Sequence, residues 1–385
     1  MATYFWVGGT GTWDASSTTN WSLTSGGLPG IAAPNNTDTV VFDSASGTGT
    51  CTTAAGSACA VATLNSSTLG LTLGANHTMS GTFTFTLGTL SLNNNTLTCN
   101  VFSSNNSNAR VIDFGTGNIT LTGNGANIWS CATVTNFSYV GTPTVNLTYA
   151  GSTGTRGVSH GSVAGATEAN SLNFNVTAGT DTFSISSAAG SSVRNLNFTG
   201  FAGTFSATIR NIYGDLTLVP AMTLTAGNGT TTFRKTSGTQ QITTAGLTLD
   251  YPIAFNGIGG IFAFQDAVTQ ASTRAFTITN GTVQLKNGVT STVGSFVANN
   301  SNVKFLQSTT SGSQATLSQS SGTVNVVDLT IRDINAVGGA DWNAYTDFEN
   351  TDAGNNDGWN FSLSPPYSTA EFPITLRSFT QPRRF

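Results

Sequence analysis

Charge is what this sequence has least of. Only 8% of its 385 residues are Asp, Glu, Lys or Arg, against roughly 25% in an ordinary soluble protein. The thirteen basic residues are spread too thinly to make a phosphate-tracking stripe, which argues against nucleic acid as a partner. No run approaches the roughly 18 consecutive apolar residues that a membrane helix needs, so no membrane partner is expected either. Histidine is nearly absent. His77 sits in the turn-like Gly-Ala-Asn-His-Thr, and His160 sits in the Gly/Ser-rich segment 151–166. Neither lies near a G-x-S-x-G nucleophile. Glycine-rich stretches abound, but none is a phosphate or dinucleotide fingerprint between a strand and a helix, so no cofactor is expected. None of the four cysteines (Cys51, Cys59, Cys99, Cys131) falls in a C-x-x-C pair, which leaves a zinc ribbon without support. Cys51 and Cys59 could close a short loop, though spacing alone establishes no bond; the simpler reading is four small, partly buried residues. Capped apolar stretches of period 3.6 are missing too, so almost no helix is expected.

What is present is Thr, Ser, Asn and Gly, with enough hydrophobic residues (38%) to exclude a disordered chain. A unit of glycine, any residue, aliphatic, any residue, aliphatic recurs. It starts at Gly88, Gly117, Gly214, Gly281 and Gly322. Alternation with period two sends its aliphatic side chains to one face of a strand and its Thr, Ser or Asn to the other. Leu172-Asn173-Phe174 returns as Leu196-Asn197-Phe198, a spacing that suits one coil of a solenoid. The reading is all-β: a right-handed parallel β-helix, with a β-sandwich as the alternative. In such a stack each coil pairs with the next, and only the two end coils need covering.

The two ends differ from the body. Residues 1–59 hold Trp6, Trp13 and Trp21 in the run Trp6-Val7-Gly8-Gly9-Thr10-Gly11-Thr12-Trp13-Asp14 followed by Asn20-Trp21-Ser22. Pro34-Asn35-Asn36-Thr37-Asp38 and Val40-Val41-Phe42-Asp43 come next. Terminal repeats of solenoids are atypical, so these aromatics are expected to form a cap over the first coil. This opening resembles those of β-helical surface proteins, found in autotransporter-type passenger regions and among structural proteins of tailed bacteriophages. Asp352-Ala353-Gly354-Asn355-Asn356-Asp357-Gly358-Trp359-Asn360-Phe361 is similar to the closing coil of the same broad group. The resulting division is a cap over 1–59, a β-helix body over 60–331, a capping coil over 332–363 and an extended proline-rich arm over 364–385.

The arm carries apolar anchors at Phe372, Ile374, Leu376, Phe379 and Phe385, with Arg377, Arg383 and Arg384 among them. Four prolines keep it extended. It reads as a partner-binding arm that docks on a neighbouring subunit. Catalytic chemistry is harder to find. A glycosidase needs two carboxylates about 5 to 9.5 Å apart, and the only dense acidic group is Asp341, Asp347, Glu349, Asp352 and Asp357. Turn chemistry accounts for these. Asp352, Asn355, Asn356 and Asp357 could supply oxygens to a calcium ion, but not in the order of an EF-hand, so no metal is expected. The start has neither a basic n-region nor an apolar h-region, so no standard signal peptide is expected. The resemblance implies a non-enzymatic virion structural protein on the particle exterior, made in the host cytoplasm. It would decorate the capsid or form a head or tail fibre. Its partners would be other virion proteins and itself, as a homotrimer, with host surface glycans as a compatible contact. The rival functions are a bacterial adhesin passenger and a glycan-cleaving tailspike.

Overall fold

The structure is a computed structural model that describes residues 1–161, 167–169, 171–186, 192–206 and 211–365. The arm residues named above, Phe372 to Phe385, lie outside the described residues. Parallel strands stack in about 14 turns, which makes the fold a β-solenoid and not a sandwich. In the first half a coil contributes three short strands. One coil, for example, runs through Val101–Ser103, Arg110–Asp113 and Asn118–Leu121. The next runs through Trp129–Cys131, Phe137–Val140 and Thr144–Leu147, each strand in parallel register with the one before. A single short 3-10 turn, Thr346–Phe348, is the only helical element among the described residues.

The period-two alternation does what the composition implies. All ten aliphatic residues of the five glycine-led units are buried, from Leu90 and Leu92 to Val324 and Val326. The glycine sits at a corner of the coil. At Gly88 φ is 111°, and a Cβ there would lie 2.1 Å from the Ser66 carbonyl oxygen of the preceding coil, so the corner admits no side chain. Inside, like residues stack on like. Phe83, Phe102 and Trp129 form one column, with ring centroids 5.6 and 4.6 Å apart. Phe233, Phe255, Phe276 and Phe296 form a second, at 5.3, 5.0 and 5.9 Å. Stacked rings contribute beyond the area they bury.

Coil length is uneven. Residues hydrogen-bonded between successive coils are 19 positions apart at Thr204 and Thr223 but 30 apart at Leu147 and Thr177. The Leu172 and Leu196 segments do lie on adjacent coils, but a bulge shifts them: Phe174 pairs with Leu196 and Asn175 with Asn197. Loops absorb the excess residues, and buried cations hold some of those loops. Arg110 donates to the carbonyls of Ser104, Asn108, Thr133 and Thr135. Arg156 makes two bonds to the Asp181 carboxylate, at 2.8 and 3.1 Å, and reaches the carbonyls of Leu147, Tyr149 and Ala178. Lys304 Nζ donates to Asn300 O, Asn300 Oδ1 and Asn302 O at 2.6, 3.0 and 2.6 Å. A buried charge is tolerable only when its donors are satisfied in this way.

Candidate functional site

The residues with the most chemistry are occupied by structure. Asp352 Oδ1 accepts from the Gly354 amide and from Asn356 Nδ2 at 2.9 and 2.7 Å. Asn355 Nδ2 donates to Asp333, and Asp357 accepts from Gln314 at 2.8 Å. Asn356 also bridges to the Ile334 amide and the Ile331 carbonyl of the previous coil. The four candidate calcium ligands are therefore spent on turns and on bonds between coils. Asp347 binds the amide and hydroxyl of Ser364, whose hydroxyl bond is the main cause of its lowered pKa. Among the described residues no three His, Cys, Asp or Glu side chains converge on a point that could hold a metal ion.

The two histidines lie in the core, far from each other along the stack. His77 Nδ1 is 3.0 Å from Ser57 Oγ, and its ring is 4.9 Å from Trp13. His160 packs beside Tyr139 and Phe174, and neither of its ring nitrogens has a hydrogen-bond partner. Burial lowers both to about 4. Neutral and sealed off, they lack the access to solvent or substrate that a general base requires. The four cysteines are unpaired, buried thiols, and burial pushes Cys59 and Cys99 up to about 12. No Cys51–Cys59 bond forms.

The surface offers two features. The first is a polar wall. Thr78, Thr98, Thr120, Asn146, Asn175, Asn197, Thr217 and Thr243 stand in register on eight successive coils. Amides link part of this wall: Asn146 donates to Asn118 at 3.1 Å and accepts from Asn175 at 2.9 Å. The second is a groove of about 440 Å³ that crosses three coils, lined by Ile258, Gly259, Asn280, Gly281, Val303 and Phe305 among others. Ile258 and Val303 are 76% and 67% exposed, unusual values for aliphatic side chains on so polar a surface.

No family model, no curated protein and no solved structure matches this chain.

The groove escaped the sequence reading for an identifiable reason. In Val303-Lys304-Phe305-Leu306, period two places either 303 and 305 or 304 and 306 outside. A lysine ordinarily marks the outer face. Here Lys304 is fully buried beneath the carbonyls that accept from it, so Phe305 is turned out and Leu306 in. The presence of Phe305 on the same parity as Val303 was the available signal.

Proposed function

We propose that this chain is a non-enzymatic structural protein on the exterior of a tailed-bacteriophage particle. It acts there as a stiff rod whose side walls make the contacts. One observation carries the reading: the chain closes both ends of its own stack and leaves the side walls open. At the start, Trp21 and Ser22 fold back antiparallel on Phe5 and Trp6, so the edge of the first strand is covered. At the finish, Asp357 and Asn360 bridge to Asn335 and Asn343 of the last long strand. Closed ends discourage end-to-end growth. Lateral association then remains, and a closed homotrimer is the arrangement proposed here. The walls carry few charges, so contacts made through them would change little with salt.

The resemblance of both ends to β-helical phage and autotransporter proteins supports the same reading. Capsid decoration, a head fibre or a tail fibre could each be built on a rod of this kind, and adhesion to host glycans is compatible with it. A tailspike hydrolase would need a pair of unoccupied carboxylates on a wall. The carboxylates of Asp181, Asp250, Asp266 and Asp333 instead accept bonds from neighbouring coils. Cryo-electron microscopy of a particle carrying this chain tests the proposal. Density on the capsid lattice or on the tail supports it, and the two positions separate decoration from fibre. Absence of the chain from purified particles overturns it.

A further inference from the structure

We propose that the groove at Ile258, Val303 and Phe305 receives the C-terminal arm, residues Phe372 to Leu376, of a second copy of this chain. The inference rests on the proposed lateral assembly and names the contact that holds it. Eight large apolar side chains are exposed among the described residues, and three of them meet in this groove. Clustering of that kind marks a contact surface, whereas scattered apolar residues need no explanation.

The groove and the arm occupy the same corner of the stack. The Asp328 amide donates to the carbonyl of Phe348, and the Lys304 amide in turn donates to the carbonyl of Asp328. The turn at 346–348 therefore lies two coils beyond Lys304 on one edge. Ser364 is fastened to Asp347 in that turn, so the chain leaves the described stack there. Gly281 pairs with Lys304, and Ile261 with Thr282, which puts Ile258 a further two coils back. With coils about 4.8 Å apart, Phe305 stands about 10 Å and Ile258 about 19 Å along the axis from the exit. The seven steps from Pro365 to Phe372 span at most about 25 Å. The arm is thus long enough for its first apolar residues to reach the height of the groove in a parallel neighbour.

The arm suits such a site. Phe372, Ile374 and Leu376 alternate, so an extended segment presents all three on one side. Pro373 in between donates no hydrogen bond and loses none in an apolar trough. A second copy is favoured over the same chain because Ser364 is followed by Pro365 and Pro366. A proline pair is stiff and extended, which opposes an immediate reversal of the chain onto its own groove.

The test introduces Val303→Cys and Ile374→Cys into one full-length chain, followed by mild oxidation. The native thiols are buried and stay unreactive. Covalent multimers on a non-reducing gel, absent from either single variant, are expected. In parallel, Val303→Asp changes an exposed side chain. It should raise the concentration needed for assembly at least about tenfold, since a charge against apolar partners costs more than about 1.4 kcal/mol. Its circular-dichroism melting curve, recorded at a concentration where both proteins are monomeric, should be unchanged. A crosslink confined to one chain overturns the exchange. No crosslink in a protein that still sediments as an assembly overturns the groove and leaves the lateral assembly standing. A wild-type chain that sediments as a monomer overturns the assembly reading and this inference with it.

Discussion

The two ends of the stack meet the same need with different chemistry. The first coil is closed by rings. Trp6, Trp13 and Trp21 are all buried, with centroids 5.1 and 5.3 Å from Trp21 to its two partners, and Phe42 lies behind them. The glycines of that run make the plug possible. Trp6 Nε1 donates to Gly9 O at 2.9 Å, and a Cβ on Gly8 would meet Asn20 Oδ1 at 2.5 Å. The last coils are closed by amides. Asn350 accepts from the Leu329 amide and donates to the carbonyls of Val326 and Tyr345, all within 3.0 Å. Asn356 does the same between Ile334 and Ile331, and Trp342 with Trp359 adds one ring pair at 4.9 Å. One end works mainly by removing apolar area from water, the other mainly by satisfying the backbone edge. Each end should therefore fail in its own way.

The largest effect is expected at the aromatic end. Trp21→Ala should cost about 4 kcal/mol, the range for deleting a buried Trp. A solenoid couples each coil chiefly to its neighbours. The loss should thus appear as fast amide exchange in residues 3–13 and 39–53, with 253–343 unchanged. Uniform acceleration along the whole chain would refute a local plug. Next comes Asn350→Ala, which strands one buried amide and two carbonyls. A loss of about 3 kcal/mol is expected, confined to exchange in 326–352. Comparable fraying of the first coil by this variant would erase the distinction between the ends.

Acid should sharpen the comparison through His77, which touches the aromatic plug at Trp13. Burial lowers its pKa from 6.5 to about 4, and that of His160 likewise. The unfolded chain then binds protons that the folded chain refuses, so stability is full above pH 6.5 and falls as pH drops toward 4. At pH 5 each histidine should cost about 2 kcal/mol. Asp38, held below the usual carboxylate range mainly by the Ala2 amide, loses its contribution only as pH falls further. His160→Leu should therefore raise the melting temperature and remove part of the slope between pH 6.5 and 5. A slope unchanged in this variant would place the titration elsewhere.

Much of this molecule was legible in the sequence because period two is a local signal. The glycine-led units give strands and inward residues together. What was not legible depended on partners far along the chain. The offset between Leu172 and Leu196 hides a bulge that appears only when Asn195 meets Asn173 on the neighbouring coil. The inward turn of Lys304 depends on the carbonyls of a loop that wraps its ammonium group. The groove follows from that inversion, so it was invisible for the same reason. Arg110 and Arg156 illustrate the rule again: in a chain poor in charge, a cation is as readily a loop fastener as a surface residue.

The smallest effect belongs to the middle of the wall, and it serves as the control for the ends. Asn146 is half-buried and bonded through its amide to Asn118 and Asn175, with its backbone already paired in the sheet. Asn146→Ala removes only the amide links, so about 1 kcal/mol is the expected loss. Both neighbours keep access to water, which replaces the missing partner at little cost. Exchange should quicken modestly in 118–121 and 172–176 and remain as before at residues 3–13 and 351–360. If this substitution frayed an end as strongly as Trp21→Ala, stability would be shared along the whole ladder. The end closures would then be ordinary coils. If it stays local and small, the wall is a surface whose side chains can be exchanged for contact chemistry without unravelling the rod.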